Sequence, residues 1–382
     1  MRLAELAQQS PHDDKDGVKR WCCPLVLLLA ACSPSPGGGG DTDQDTHDDG
    51  PKPYGLTARV DTVSCVVQTP VPGQPPLLSP LVSQTNCYAN LAAHTPAAEF
   101  VPYDLRIHLW TDGEHKKRYF AIPAGTTIGF TTTGAWIMPV GTIIMKEFYV
   151  NVVPGDDTSA RLLETRFFLR DPDRWRGYTY RWREDGSDAD LLATQEVGSY
   201  DLPAGTHRHL FPSRVNCLRC HPAEAGSVIG LHTPTMNMDF DYAGVVDNQI
   251  RAIGHIGLFT TPPEESAIAT LPALVSSTDS AVPTYERMRS YLHINCAHCH
   301  QPGGSVVSSV LDMRWDTSLL DSAICSKVTP RNPNGSPLWT TVHEIAEVPD
   351  PLETTMPPLG SFTLDPSADV IREWIANLVS CP

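Results

Sequence analysis

Two five-residue motifs constrain this chain more than anything else in it: Cys217-Leu218-Arg219-Cys220-His221 and Cys296-Ala297-His298-Cys299-His300. Cys-x-x-Cys-His is the attachment motif of c-type haem. The two thiols form thioethers to the porphyrin, and the adjacent imidazole takes the iron. Two intervening residues place both sulfurs on one side of a turn. A zinc module is the alternative, but its cysteine pairs usually stand about 15–20 residues apart. Here 76 positions separate Cys220 from Cys296, and zinc would leave both histidines without a role. The expectation is two covalently bound haem c groups, with Cys217, Cys220, Cys296 and Cys299 as attachment points and His221 and His300 as proximal iron ligands.

The N-terminus reads as an export signal. Lys19 and Arg20 precede the apolar run 24–31, which ends in Ala30-Ala31. That run falls well short of the ~20 apolar residues that span a bilayer and matches the core of a signal peptide. Leu29-Ala30-Ala31-Cys32 resembles a bacterial lipobox, which implies that Cys32 is acylated and becomes the first mature residue. Cleavage by ordinary signal peptidase is the alternative. Glu5, Asp13, Asp14 and Asp16 are out of place ahead of a basic segment, so translation is expected to start near Val18. Residues 33–53 carry glycine, serine and proline, then dense aspartate, and read as a disordered tether. Asp41, Asp43 and Asp45 alternate as in calcium loops. Thr46 stands where such a loop has glycine, and the closing glutamate is missing. The expected location is the periplasm or cell surface, with the outer membrane favoured by Ser33 after Cys32. Contact with the membrane would be through the lipid alone.

Eleven cysteines then sort themselves. Cys22 and Cys23 leave with the signal peptide, Cys32 takes the lipid and four belong to the motifs. Cys65, Cys87, Cys325 and Cys381 remain, an even number in an oxidising compartment, which predicts two disulfides. Sequence proximity favours Cys65–Cys87, leaving Cys325–Cys381 to pin the C-terminus.

Charge and motif content narrow the function. Twenty-eight Lys+Arg against 44 Asp+Glu give −16, which argues against a nucleic-acid binder or one held to anionic lipid by bulk charge. It fits a soluble acidic face or a basic partner. The chain has no Gly-x-Ser-x-Gly, phosphate-binding loop, dinucleotide fingerprint or His-Glu-x-x-His.

The second motif has recognisable surroundings. Pro283–Asn295 is predicted helical, with Tyr285, Met288, Tyr291 and Leu292 on one stripe. Gly303 and Gly304 follow the motif, and Met356-Pro357-Pro358 lies far downstream. Asp365-Pro366 is an N-cap with proline at the first helical position. It opens an amphipathic helix carrying Val370, Ile371, Trp374, Ile375 and Leu378. This resembles a class I cytochrome c domain. The resemblance implies that Met356 is the sixth ligand opposite His300 and that the closing helix packs on the first. A core role for Met356 is the alternative.

The first motif is less complete. Phe211-Pro212-Ser213-Arg214 leads into it without a clear helix. Met236 and Met238, two apart in an extended segment, would face one side, so either could reach the iron. His232 is the next candidate, followed by His207, His209 and His255, and an open sixth position is the third possibility. A helix from Tyr242 to about Leu258 is expected to cover the cofactor.

Residues 54–210 are predicted β-rich. Leu163, Thr165, Phe167 and Leu169 alternate with Glu164, Arg166 and Arg170, with Phe168 the exception. Tyr178, Tyr180 and Trp182 share one face of the next strand. Pro123-Ala-Gly-Thr126, Pro139-Val-Gly-Thr142 and Pro203-Ala-Gly-Thr206 are turn signals, and Glu184-Asp185-Gly186 marks a hairpin. About eight strands are expected, as a sandwich or jelly-roll-like domain. Seven arginines between Arg161 and Arg183 read as a solvated strand face or as a face for haem propionates or an acidic partner. The segment from Trp110 to Lys117 reads as a structural turn or as a carbohydrate-stacking loop.

Several runs together resemble one family. They are Tyr103-Asp104-Leu105 with Leu109-Trp110-Thr-Asp112-Gly113; Gly141-Thr142 with Lys146; Leu163-Glu164-Thr165-Arg166; Tyr180-Arg-Trp182-Arg-Glu184-Asp185-Gly186; Pro212-Ser-Arg214 with the first motif; and Asn295 with the second. Over about residues 80–380 the chain is similar to an uncharacterised family of secreted bacterial dihaem c-type cytochrome proteins. The resemblance implies haem redox work.

The expected fold class is α+β multidomain. A signal peptide (1–32) and tether (33–53) precede an antiparallel β domain (54–210), a first haem-binding segment (211–282) and a mainly helical cytochrome c-like domain (283–382). The expected activity is electron transfer, from a periplasmic dehydrogenase or another cytochrome as redox partner. The alternatives are a peroxidase-like haem enzyme with an open first iron, and a glycan- or partner-binding β module with accessory haems.

Overall fold

The computed structural model describes residues 52–61, 64–65, 78–223, 226–306, 309–343, 356 and 362–381. The signal peptide, Cys32 and nearly all of the tether lie outside the described residues. The segment Lys52–Pro382 makes one compact unit. The regions expected from 54 onward are therefore parts of a single body.

A short antiparallel ribbon comes first, β1 (Tyr88–Asn90) with β2 (Thr95–Pro96). The main sheet follows: β3 (Val101–Tyr103), β4 (His115–Ala121), β5 (Ile143–Asn151), β6 (Ala160–Arg170), β7 (Trp175–Trp182) and β8 (Ala189–Leu191). Each strand pairs antiparallel with its successor, so the order is sequential. This corrects the expected sandwich or jelly roll. Those folds need strands that cross between two packed sheets, whereas here local connections build one meander. Gly186, at φ +68°, supplies the left-handed residue of the β7–β8 hairpin.

The sheet is buried on both faces, which explains why Phe168 breaks the alternation. Met145, Phe167, Tyr178, Tyr180 and Trp182 pack on one side with Cys65 and Cys87. Ile144 and Phe168 pack on the other with Cys217 of the first motif. The Cys65–Cys87 disulfide forms as expected and staples the N-terminal segment over the first face.

A second ribbon, β9 (Glu196–Leu202) with β10 (Gly205–Phe211), turns through Pro203-Ala204. Then come α1 (Arg214–Cys220) and α2 (Thr233–Met236), a third ribbon of β11 (Asp239–Tyr242) and β12 (Val245–Asn248), and the short helices α3 (Gln249–His255) and α4 (Glu265–Ile268). The helix expected from Tyr242 therefore begins only at Gln249. Ala243 and Gly244 both have positive φ and turn the chain into the ribbon. Asn248 then caps α3, its side chain accepting from Ile250 N and Arg251 N.

The C-terminal region holds α5 (Thr284–Leu292), α6 (Pro337–His343) and α7 (Asp369–Asn377). Met288, Tyr291 and Leu292 pack with Trp339, Val370, Ile371, Trp374 and Ile375 in one core. Asp365 caps the turn entering α7 by accepting from Ser367 N. Cys325–Cys381 is bonded as expected. Among the described residues no helix is long and apolar enough to cross a membrane.

Candidate functional site

The first motif lies against the main sheet. Ser213 caps α1 by accepting from Asn216 N, the helical signal that the reading of Phe211–Arg214 missed. Thr179 of β7 donates to the Pro212 carbonyl at 3.0 Å and fixes the entry. Beside it, β7 carries Gly177, where any Cβ would collide with Cys217 Sγ. The sheet is thus left bare at the point where the motif's first thiol sits.

His221 donates from Nδ1 to the Ser227 carbonyl at 2.9 Å. A carbonyl only accepts, so Nε2 is left as the electron-pair donor. Burial pushes this imidazole down to about 3, which keeps it neutral and competent as a ligand.

The second motif is delivered by α5, which widens into a π turn over His293–Ala297. Such turns are rare and recur at functional sites. His300 uses Nδ1 on Ser309 Oγ at 3.0 Å, again leaving Nε2. A Cβ on Gly304 would collide with the Cys299 carbonyl, so the chain can fold back over the motif only with glycine there.

Each motif opens into a cavity. The second cavity is lined by Cys296, Cys299, His300 and Met356, with apolar walls from Leu292, Leu311, Met313, Leu338 and Val342. Met356 thus shares a cavity with His300. The first is lined by Cys217, Cys220 and His221, and by Arg118, Lys146, Phe148, Arg166 and Phe168 from the sheet. Cys220 lines both cavities. Its thiol neighbours that of Cys299, and Cys299 Sγ donates to the Arg219 carbonyl oxygen at 3.4 Å.

The sheet wall of the first cavity is cationic. Arg118 pairs with Asp104 at 2.6 Å, and Arg166 forks onto Glu164 at 2.6 and 2.8 Å. Lys116, which does not line this cavity, donates to the Leu109 carbonyl, and burial beside Arg118 lowers its amine to about 7. Lys146 Nζ lies 4.8 Å over the Phe148 ring and meets no hydrogen-bond or ion-pair partner among the described residues. Burial, with Arg118, Lys116 and Arg166 close by, pushes it well below its ordinary value. Lys146 is the cation of this wall left without a carboxylate, and such a group is costly to desolvate unless an anion arrives. The propionates of a haem would be anions of that kind.

The zinc alternative lacks its geometry. Among the described residues, the one group of three or more ligand atoms close enough to share an ion is Glu114, His207 and His209, and no motif cysteine belongs to it.

Other expected site residues lie elsewhere. Met236 is fully buried in the apolar core, and Met238 is half-buried. Met236 closes the α2 turn instead of lying with Met238 in an extended segment, so the geometry behind a shared side is not formed. His232 Nε2 accepts from Gly230 N at 3.2 Å, and its ring packs edge-on against His293. None of the three lines the first cavity. His255 stacks on Tyr54. Of the seven arginines, Arg166 alone lines the first cavity, while Arg174, Arg176, Arg181 and Arg183 pair with acids. Trp110 donates from Nε1 to the Thr363 carbonyl, and Asp112 accepts from Phe362 N and Thr363 N. That loop is a structural clamp on the approach to α7.

The sequence reading missed the wall of Arg118, Lys146 and Phe148, Gly177, and the line of Glu114, His207, His209 and Glu164. Period-two spacing of charge on β4 and β6 was the available signal. Comparison with protein-family models, with curated proteins and with solved structures finds no match.

Proposed function

We propose that this chain is a dihaem c-type electron-transfer protein, exported and tethered through a lipid on Cys32. The observation that carries the reading is Cys220, which lines both motif cavities and meets Cys299 thiol to thiol. Each haem iron would supply one-electron chemistry by cycling between two oxidation states. The residues of the chain set the terms of that exchange. Cys217 and Cys220 would hold one macrocycle and Cys296 and Cys299 the other, with His221 and His300 presenting Nε2. Adjoining attachment points suit transfer between two sites inside one protein.

The second cavity pairs His300 with the thioether of Met356, a ligand set that favours the reduced state and raises the potential. Among the described residues no methionine lines the first cavity, so the two sites would differ in potential, which would give transfer a direction. A basic or neutral redox partner, such as a periplasmic dehydrogenase or another cytochrome, would complete the path.

One observation favours a second reading, a haem enzyme. Asp112, Glu114, Lys146 and His209 line the first cavity, polar groups suited to a reactive sixth position. Carbon monoxide separates the two. A reduced spectrum unchanged by the gas supports the relay. A shift in one of two haems moves the enzyme to the front.

A further inference from the structure

At one side of the first cavity three side chains from two elements converge. Glu114 directly precedes β4, and His207 and His209 stand two apart on β10, so both imidazoles face the same side. His207 Nε2 is 2.9 Å from Glu114 Oε1, and His209 Nδ1 is 2.5 Å from the same oxygen. All three donor atoms lie within 4.8 Å of one another. The side chains of Glu114 and His209 are 1% and 4% exposed.

We propose that Glu114, His207 and His209 bind one divalent transition-metal ion of the zinc class in the wall of this cavity.

Two further features point to a ligand rather than to a closed ion-pair network. Glu114 Oε2 is buried and has no hydrogen-bond partner among the described residues. A buried carboxylate oxygen without a partner costs about 1–3 kcal/mol or more, and a cation beside it removes that cost. Second, His209 Nε2 is 2.8 Å from Glu164 Oε2, and Glu164 is itself gripped by the Arg166 fork. A ligating histidine almost always passes its other ring N–H to a carboxylate or carbonyl, which fixes the ring and its tautomer. Glu164 supplies that support here. Two imidazole nitrogens and one carboxylate oxygen form a donor set that zinc accepts while keeping a further position for water or substrate. The site uses no residue of either Cys-x-x-Cys-His motif, although Glu114 and His209 also line the first cavity.

The test uses the full exported chain, stripped with a chelator and then titrated with Zn²⁺ alone. The four motif thiols are first blocked by alkylation, or occupied by haem. Metal analysis after gel filtration is expected to give one zinc per chain. Glu114→Gln and His207→Ala should each lose it. Glu164→Gln should keep the stoichiometry and weaken affinity about 10- to 100-fold. His207 is the least buried of the three, so its variant guards against a folding defect in the glutamate variant. His115→Ala, at a half-exposed position outside the cluster, should bind as the unchanged chain does. No tight zinc, or equal uptake by all variants, overturns the proposal.

Discussion

Cys220 and Cys299 belong to motifs far apart in sequence, yet their thiols are neighbours at the boundary of two cavities. The contact follows from where each motif is anchored. The first is held on β7 by Gly177 and Thr179. The second is tied to the same body by Asn295, whose Oδ1 accepts from Trp110 N at 3.0 Å.

Gly177→Ala should damage the first site selectively. The added methyl meets Cys217 Sγ, and overpacking of this kind typically costs about 1–3 kcal/mol. Haem attachment at Cys217 should fall while attachment at Cys296 and Cys299 persists, as peptide mass mapping would reveal. Equal loss at both motifs would mean that the methyl acts on the whole fold.

Met356→Ala should lower the potential of one haem and leave haem content unchanged. The shift should be on the order of 100 mV, within the ~0.8 V range that axial ligands span. A redox titration with no change at either haem would return Met356 to a purely packing role.

Lys146→Met removes a half-buried amine from the first cavity, one that haem propionates beside it would keep cationic. A nearby positive charge favours the reduced, less positive state of an iron site, so its loss should lower the first potential. About 60 mV is the one-electron equivalent of 1.4 kcal/mol, and a shift of that order is expected. The second potential should not move.

The pH dependence of stability should carry the signature of His209. Burial alone would lower its pKa, but the carboxylates of Glu114 and Glu164 outweigh burial and lift it from 6.5 to about 9. A raised pKa gives stability that is fully present below about pH 6.5 and lost as pH rises through about 9. In the presence of chelator, the advantage of the unchanged chain over His209→Gln should shrink by on the order of 3 kcal/mol across that window. Denaturant unfolding at the two ends measures it. An advantage that grows with pH would mean that His209 is buried neutral.

The motifs, both disulfides, the helix into the second motif and the closing helix were legible because each rests on local chemistry: cysteine spacing, an apolar stripe, or an Asp-Pro cap. The alternation of Tyr178, Tyr180 and Trp182 was legible for the same reason. The sheet's topology was not, because alternation gives a strand its faces without giving it a neighbour. Phe168 read as an exception only because both faces of β6 are covered. Met236 and Met238 misled because α2 replaces an extended segment with one helical turn. The cation wall and the Glu114–His207–His209 group depend on register between strands, which spacing along one strand cannot supply.

The most direct test is the intact mass and reduced visible spectrum of the full chain, exported with a cytochrome c maturation system. Two covalent haems per chain that survive denaturation are expected. A chain carrying no haem, with Cys220 and Cys299 joined as a disulfide or the motif thiols holding zinc, would contradict that.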